Sequence, residues 1–347
     1  MTTLLSARTT LQIGGPARAH ATFDSADTLR PHLEAGGPIL LLGGGSNLVV
    51  ADAGFPGTVL ESTDASIVEE PDGDDVLWRV GAAHDWDALV RTAVERGLAG
   101  LECLSGIPGR VGAAPIQNIG AYGQEVVETV EAVEAMEVAT GRVERIPRDA
   151  CAFGYRTSRF KHAEAGRWVV LAVWFRLRPG PPTLRYAELA RRAEEQGAAS
   201  LAAVRELVLA IRRGKSMVLD PSDPDARSAG SFFTNPVLAD ITQVEAAADG
   251  PVPQWPVDGG TKLAAAWLIE RAGFHRGWGD GPAGLSSKHT LAIVNRGGAT
   301  AADVLDVAMR VRRGVRDRFG VTLVPEPVFV GFHSTDPTLV LDAVERP

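Results

Sequence analysis

The chain of 347 residues has few cysteines, no long apolar run and no excess of basic residues. Its two cysteines, Cys103 and Cys151, cannot build a disulfide framework and form no CxxC metal pair. Residues 169–175 form the longest apolar run, which is far too short to span a bilayer. The first residues, MTTLLSARTTLQIGG, lack the apolar stretch of a signal peptide. We therefore expect a soluble cytoplasmic protein that contains no metal site.

The charge balance limits the classes of partner. A net charge of −8 argues against non-specific nucleic-acid binding, although a basic pocket for an anionic small molecule remains open. With 45% hydrophobic and 22% charged residues, the composition is typical of a globular protein of two or three domains.

Residues 105–125, SGIPGRVGAAPIQNIGAYGQE, stand out because they are rich in glycine and have neither a helical nor a strand period. Glycine allows main-chain N–H groups to approach a ligand closely. An irregular surface loop is the alternative. The length, the low charge and the apolar Ile107, Val111, Ile116 and Ile119 favour a partly buried ligand-binding wall.

A second glycine-rich segment, GGGSN at residues 43–47, lies between two apolar strands. It is not a P-loop, because no Gly-Lys-Ser/Thr follows, and it is not a Rossmann fingerprint, because no helix follows. Such a turn could hold a pyrophosphate with backbone amides. Taken alone, the segment favours a tight hairpin.

Periodicity and capping residues predict the other elements. We expect helices over residues 27–35, 85–96, 201–213, 262–272 and 301–319, and strands over 76–80, 169–177 and 291–295. Glu131, Glu134 and Glu137 recur with period three, which suits a helix, but Thr140-Gly141 followed by VERI favours a pair of strands. Two further strands, VTLV and VFVGF, are expected to flank Pro325-Glu326-Pro327. A composition break at residues 219–230 suggests a domain boundary.

Three polar residues have surroundings that suit chemistry. Arg156 follows two aromatic residues and a glycine, and its planar fork could bind a carboxylate. Ser231 lies between a glycine and two phenylalanines, where a hydroxyl could relay or donate a proton. Glu326 is held between two prolines that restrict its backbone. A surface salt bridge, a turn serine and an exposed loop glutamate are the respective alternatives.

Together these segments resemble the UDP-N-acetylenolpyruvoylglucosamine reductase family. The resemblance covers most of the chain, and six motifs in order and spacing carry it: LGGGSNL at 42–48, IPGRVGAAPIQNIGAYGQE at 107–125, FGYRTSRFK at 153–161, AGSFFTNP at 229–236, KLAAAWLIE at 262–270 and PEP at 325–327. The segments around Tyr155 and Tyr186 resemble the longer form of the family, in which an extra loop closes over substrate.

The resemblance implies an α+β fold with FAD bound as in the vanillyl-alcohol-oxidase-like flavoproteins. It implies FAD-binding subdomains at residues 1–62 and 63–216, a substrate domain at 217–332, and a tail at 333–347 that packs back on the first subdomain. The GGGSN turn and the glycine-rich stretch would be two walls of one FAD cleft. The implied cofactor contacts are Gly43, Gly44, Gly45, Ser46, Asn47, Gly109, Gly112, Ala113, Ala114, Gln117, Asn118, Gly120, Tyr122 and Gly123.

The implied reaction reduces UDP-N-acetylglucosamine enolpyruvate to UDP-N-acetylmuramate, for peptidoglycan synthesis, with NADPH as the hydride donor. By motif match, Arg156 and Glu326 would stabilise the enolate-like intermediate, and Ser231 would donate the proton to its α-carbon. A glutamate beside that anion must be protonated or share a proton. Tyr155, Tyr186, Lys215, Asn235 and Lys262 match positions that hold the substrate or the nicotinamide nucleotide. We expect a monomer.

The chain departs from the family pattern at several positions. Ala113-Ala114 replaces serines of some relatives, so we expect only backbone contacts with FAD there. The chain has extra residues after Lys215. Trp255 replaces a tyrosine, His289 replaces a glutamine, and Val328 replaces a basic residue. Two other functions remain open: an FAD-dependent alcohol or hydroxy-acid oxidase of the same fold, and a non-catalytic nucleotide-binding module.

Overall fold

A computed structural model describes residues 3–73, 75–161 and 164–345. The described chain divides into two compact units. The first unit comprises residues up to 18, residues 45–56 and residues from 219 onward, and the second comprises residues 19–44 and 57–218. No helix within the described ranges has both the length and the apolar character needed to cross a membrane.

Both units mix helices and strands, in line with the predicted α+β class. The strands are β1 Thr3–Leu4, β2 Pro16–Phe23, β3 Ile39–Leu41, β4 Leu48–Val50, β5 Phe55–Ser62, β6 Ile67–Asp72, β7 Asp75–Gly81, β8 Leu98–Ala99, β9 Gly120–Ala121, β10 Gln124–Glu125, β11 Val130–Glu137, β12 Val143–Pro147, β13 Trp168–Pro179, β14 Ser228–Ser231, β15 Val237–Leu238, β16 Gln254–Val257, β17 Gly260–Leu263, β18 Ala283–Leu285, β19 Ala292–Asn295 and β20 Val328–Val330. The α-helices are α1 Ala26–Glu34, α2 Trp86–Glu95, α3 Ala187–Gln196, α4 Leu201–Arg213, α5 Thr242–Ala247, α6 Ala265–Arg271, α7 Ala301–Phe319 and α8 Pro337–Glu345.

The second unit is built on an antiparallel sheet in the order β12-β11-β13-β7-β6, and β8 pairs with the end of β13. The prediction of strands for the glutamate-containing segment is confirmed, because β11 pairs with β12 and β13. The register shift between Val130 and Ala132 leaves Glu131 as an extra residue in β11, which moves the alternation of that strand by one position; the shift between Glu134 and Ala135 puts the extra residue, Leu171, in β13. Trp86 and Leu89 of α2 pack with Val133 and Phe175 on one face of this sheet.

Capping residues fix the helices of the second unit where the sequence predicted them. The side chains of Ser25, Asp85 and Ser200 accept main-chain N–H groups at the starts of α1, α2 and α4. Helix α3 was not predicted. It begins after Tyr186 and ends at Gly197, whose φ of 64° is the left-handed conformation that glycine adopts at helix ends.

The first unit has its own core, in which α6 and α7 pack with two small sheets. These sheets run in the orders β14-β19-β18 and β15-β17-β16. Leu11, Ile13 and Val49, from the early part of the chain, belong to the same core as Leu341 of α8. Helix α7 has the predicted bounds, with Thr300 as N-cap and Gly320 as the left-handed C-cap.

Three sequence predictions need correction. The strands on either side of GGGSN do not form a hairpin, because β3 pairs in parallel with β5 and β4 pairs in parallel with β20. Lys262 lies on strand β17 rather than on a helix, because Lys262 pairs with Val237 and Trp255, and α6 begins only at Ala265. The VTLV segment forms no strand: it runs beside residues 232–234 through bonds such as that from Thr234 N to Val324 O (3.0 Å).

Candidate active site

Ser231 ends strand β14 in the first unit, next to a break in the strand ladder. Ser228 pairs with Val294 and Ser231 with Ala292, so the register shifts between these two pairs. Gly230 supplies a φ of 75°, which glycine adopts without steric cost. A bulge re-aims the side chain that follows it. The Ser231 hydroxyl is half-buried and makes no hydrogen bond to another described residue, so it is available to a ligand.

Glu326 is held beside Ser231 by main-chain bonds. Its N–H donates to the carbonyl of Phe232 (2.9 Å), and Pro325 forms an isolated bridge with Phe233. Asn47 of the GGGSN turn donates from Nδ2 to the carbonyl of Glu326 (3.4 Å) and accepts from the N–H of Val328 (2.9 Å). Asn47, the GSFF segment and the PEP segment, which are far apart in the sequence, therefore meet within the first unit.

Asn235 and Lys262 belong to the same unit as Ser231 and Glu326. Asn235 Oδ1 accepts the N–H of Ala265 (3.0 Å) and so caps helix α6 from another segment. Lys262 stands in the middle strand of its sheet, directly opposite Val237 and Trp255. These two apolar neighbours are 41% and 49% exposed, so they form an accessible apolar surface on each side of the lysine.

A buried carboxylate holds the turn that carries His289. Asp225, which is 9% exposed, accepts hydrogen bonds at Oδ2 from Ser286 Oγ (2.7 Å) and from Ser287 N (2.7 Å) and Oγ (2.8 Å). Ser286 Oγ in turn accepts the N–H of His289 (3.2 Å). Asp225, which lies between Lys215 and Ser231, therefore has a structural role, which the sequence analysis missed because nothing in the sequence pairs residue 225 with residue 286.

The triple-glycine turn and the glycine-rich stretch touch each other through their backbones. A Cβ added to Gly44 would lie 2.8 Å from the Cα of Gly109, and one on Gly43 would lie 3.6 Å from the Cβ of Ala113. Glycine is therefore required at position 44 for this approach. The N–H groups of Gly43, Gly44 and Gly45 donate no hydrogen bond to any other residue that the structure describes. The turn thus offers unused donors of the kind that bind phosphate oxygens.

The stretch itself uses its main-chain donors internally. The N–H groups of Gly112, Ala113 and Ala114 donate to the carbonyls of Ala82, Arg110 and Val111, each at 3.0 Å. Ala114 is buried in the core of the unit, whereas the side chain of Ala113 is exposed. The N–H groups of Ala113 and Ala114 are thus engaged inside the protein, whereas those of the triple-glycine turn are engaged by no described residue.

Arg156 is seated on the glycine-rich stretch of the second unit. Its guanidinium donates to the carbonyl oxygens of Asn118 (3.4 Å) and Gly120 (2.6 Å), and its φ is 52°. A Cβ on Gly120 would lie 3.1 Å from Arg156 Nη1, so glycine at this position makes room for the guanidinium. Lys161 donates to the carbonyl of Arg156 (3.2 Å) and to Gln117 Oε1 (3.4 Å).

The three tyrosines predicted to lie in the site differ in how far their side chains are exposed. Tyr155 and Tyr186 are 43% and 41% exposed, whereas Tyr122 is mostly buried, and burial raises its pKa to about 12. The rings of Tyr122 and Tyr186 meet edge to face with centroids 5.5 Å apart. Tyr122 and Gly123 have φ values of 50° and 81°, which set the turn between β9 and β10. Lys215 follows α4 and donates its N–H to the carbonyl of Arg212 (3.0 Å).

Two carboxylates, the partly buried Asp87 and the fully buried Glu102, fix the start of the glycine-rich stretch, and the sequence analysis missed both. Asp87 accepts two bonds of 2.7 Å from Arg205 and one of 2.6 Å from the N–H of Gly106. Burial opposes its ionisation, but the bonds from Arg205 and Gly106 outweigh burial and hold the pKa of Asp87 below its usual value. Glu102, fully buried, accepts from the N–H of Thr183 (2.7 Å) and from Gln124 Nε2 (3.2 Å).

Comparison with known proteins agrees with this geometry. Residues 221–330 match the family described as UDP-N-acetylenolpyruvoylglucosamine reductase, C-terminal domain, and residues 17–147 match the FAD binding domain family. The UDP-N-acetylenolpyruvoylglucosamine reductase of Thermobifida fusca is 51% identical over 93% of this chain and 95% of its own length. That of Nocardia farcinica is 51% identical over 94% of this chain and 88% of its own length. The crystal structure of UDP-N-acetylenolpyruvylglucosamine reductase from Thermus caldophilus covers 95% of this chain and 98% of its own, with a TM-score of 0.67 at 28% identity.

Proposed function

The chain belongs to the UDP-N-acetylenolpyruvoylglucosamine reductases, and we propose on that basis how its own residues carry out the reaction. Members of the family are flavoprotein oxidoreductases that use FAD and NADPH in the synthesis of peptidoglycan precursors, and this chain has that function. The oxidase and the non-catalytic binding module are therefore set aside. The roles of individual residues are the proposal.

The residues of the triple-glycine turn fit FAD. Gly43, Gly44 and Gly45 present N–H groups that the protein leaves unused, and Gly44 has no room for a side chain against Gly109. Such donors bind a pyrophosphate without a helix or a lysine. We expect Ser46 and Asn47 to complete the contacts with the cofactor, together with the exposed side of the stretch around Ala113 and Gln117. When bound, FAD accepts a hydride from NADPH and delivers it to the substrate.

The chain's residues must then control charge and protons on the substrate. Hydride delivery to the β-carbon of the enol ether leaves negative charge on the α-carbon and its carboxylate. The guanidinium of Arg156, held in one orientation by the carbonyls of residues 118 and 120, stabilises that carboxylate through a charge-assisted bond. Glu326 stabilises the same charge and must hold a proton to do so.

Ser231 donates the proton to the α-carbon of the substrate. The observation that carries this role is the local geometry: a bulge at Gly230 aims the hydroxyl, no described residue engages it, and Glu326 is tied to the neighbouring residue 232. A hydroxyl is a weak acid, so the transfer needs a strongly basic acceptor, which an enolate-like carbon supplies.

The remaining contacts are assigned by chemistry. Lys215 and Lys262 suit the diphosphate of the nucleotide. Tyr155 and Tyr186 present exposed rings to the sugar or base, and Asn235 keeps its Nδ2 amide for substrate because Oδ1 caps α6. We propose that residues 1–62 and 63–216 bind FAD, that residues 217–332 bind substrate, and that the protein is a monomer. Light scattering coupled to size-exclusion chromatography measures the molar mass and so tests whether the protein is a monomer.

The test separates the two half-reactions in an anaerobic stopped-flow instrument. Loss of flavin absorbance after mixing with NADPH reports the first half-reaction, and its return with UDP-N-acetylglucosamine enolpyruvate reports the second. In Ser231→Ala, reduction by NADPH should keep its rate, and reoxidation should slow by about a hundredfold or more, in the range that loss of a general acid produces.

Ser222→Ala is the matched control, since its hydroxyl bonds only locally to Asp220 (2.6 Å) and the side chain is exposed. Both of its half-reactions should match wild type. An equal fall of both half-reactions in Ser231→Ala would contradict the role of proton donor.

A further inference from the structure

Asn118 lies in the glycine-rich stretch with its side chain almost entirely inside the protein. It is 1% exposed and has a φ of 45°. Its Nδ2 group donates to Glu125 Oε2 (2.8 Å) and to the carbonyl of Gly154 (3.1 Å), and its Oδ1 accepts the N–H of Val127 (3.2 Å). Both donor hydrogens and one lone pair of the acceptor are thus used within the second unit, so this amide holds the protein's own segments together.

These bonds lead to the segment that carries Arg156. Gly154 and Thr157 form a tight two-way bridge, with N–H to carbonyl distances of 3.1 and 3.2 Å, and Arg156 lies inside this turn. Asn118 Nδ2 anchors the base of the turn at the carbonyl of Gly154. The carbonyl of Asn118 accepts from Nη1 at the tip of the Arg156 side chain. One residue therefore holds both ends of the arginine.

Backbone conformation adds an independent observation. Six described non-glycine residues have a positive φ, and four of them, Asn118, Tyr122, Ala152 and Arg156, lie in these two adjoining segments. Non-glycine residues in this region are strained and persist where the surroundings impose them. Asparagine is among the residue types that tolerate it best. The Asn118 bonds thus act together with the bond from Arg156 to the carbonyl of Gly120 to keep Arg156 in a costly but defined conformation.

We propose that Asn118 is a positioning residue for Arg156. Its side chain fixes the turn and its carbonyl fixes the guanidinium, so the arginine is aimed before substrate arrives. The inference rests on the proposed role of Arg156 in stabilising the substrate carboxylate. Bidentate recognition of a carboxylate by a planar fork depends on orientation, and misplacement by about 1 Å can cost about a hundredfold in rate.

The experiment uses the full-length, flavin-loaded Asn118→Asp variant. A carboxylate in place of the amide keeps the acceptor for Val127 but repels Glu125 and the carbonyl of Gly154. Flavin content and reduction by NADPH should match wild type. Reoxidation by the enolpyruvyl substrate should slow by about ten- to a hundredfold at saturation, with little change in the substrate concentration giving half the maximal rate.

Three further variants make the outcome decisive. Asn118→Gly keeps the positive φ without a side chain and should show the same selective loss, so it serves if the aspartate variant fails to fold. Glu125→Gln keeps an acceptor near Asn118 and should behave as wild type. Arg156→Ala tests the premise: unchanged reoxidation in that variant would refute the proposed role of Arg156 in stabilising the substrate carboxylate.

If reoxidation were slow in Arg156→Ala but normal in the Asn118 variants, the positioning role of Asn118 alone would be overturned. Loss of flavin, or an equal fall in both half-reactions, in Asn118→Gly would overturn it too. That result would show that Asn118 supports the cofactor wall rather than the arginine.

Discussion

At the scale of single residues, the contact between Gly44 and Gly109 is a steric constraint that links the triple-glycine turn to the glycine-rich stretch. Gly44→Ala places a methyl group 2.8 Å from the Cα of Gly109, a distance at which the backbone has to move. We expect weaker FAD binding by about tenfold or more, measured by fluorescence titration of the flavin-free protein.

Gly180→Ala is the control for that substitution. Its added Cβ would lie 3.5 Å from Ala99 Cβ, an ordinary contact, and the residue has no positive φ. Affinity in this variant should equal that of wild type. If Gly44→Ala bound FAD normally, the close approach of the two segments would have no part in cofactor binding.

Both cysteines are predicted to be unreactive in the folded protein. Burial raises the pKa of Cys103 and of Cys151 to about 12, from an ordinary value of 9.0. The unfolded chain thus releases these protons at lower pH than the folded chain, so the free energy of unfolding should fall as pH rises from about 9 toward 12. Urea unfolding of wild type and of the Cys103→Ala, Cys151→Ala double variant measures the effect, which the double variant should reduce.

A thiol reagent gives a second measurement of the same prediction. At pH 8 the reagent should label neither cysteine in the native protein, because the thiolate is the reactive form. It should label both cysteines after denaturation. Rapid labelling of either cysteine in the native protein would show that its burial is wrongly assigned.

At the scale of elements, the cap of α6 separates a structural from a binding role for Asn235. Asn235→Asp keeps the oxygen that accepts Ala265 N–H, whereas Asn235→Ala removes it. We expect the alanine variant to lose about 1 kcal/mol of stability and the aspartate variant to lose little. Both should bind substrate more weakly, because both lack the Nδ2 donor. Thermal melts measure the stability of the two variants, and substrate titrations measure their affinity. Equal stability losses in Asn235→Ala and Asn235→Asp would show that Asn235 does not cap α6.

Helices with their own capping residues were predictable from the sequence, and elements fixed by distant partners were not. Helices α4 and α7 begin after Ser200 and Thr300, within one residue of prediction, because their caps are adjacent in sequence. Helix α6 was predicted three residues too early because its cap, Asn235, comes from another segment. The turn of residues 286–289 depends on Asp225 in the same way.

The site follows the same division. Arg156, Ser231 and Glu326 could be proposed from sequence because each lies in a short motif, whereas the contacts of Glu326 with Phe232 and Asn47 required the fold. The role of Asn118 could not, since it depends on bonds to residues 125, 127 and 154 that only the fold brings together. The expected use of Ala113 and Ala114 amides also required the structure, which shows those donors engaged.

At the scale of the molecule, the first unit is assembled from both ends of the chain. Asn295 donates to the carbonyl of Leu11 (3.0 Å), Thr10 to that of Ser228 (2.6 Å), and Asp52 accepts the first N–H of α7 (2.8 Å). The C-terminal segment therefore lacks part of its core when separated from residues before 57.

We predict that residues 219–347 expressed alone will not unfold cooperatively. The missing strand β4 and the side chains of Leu11, Ile13 and Val49 leave apolar surface exposed and the Asn295 amide without its partners. Near-ultraviolet circular dichroism during heating measures this, with the full chain as reference. A sharp transition in the fragment would show that it is an autonomous domain.

The parallel pairing of β4 with β20 also bears on when the protein can acquire its flavin. Leu48 stands opposite Val328, so the strand leaving the triple-glycine turn has no neighbour on that edge until almost the whole chain has been synthesised. Contacts so distant in sequence form late because the intervening chain must first be closed. We therefore expect stable FAD binding only after residues 328–330 have joined β4.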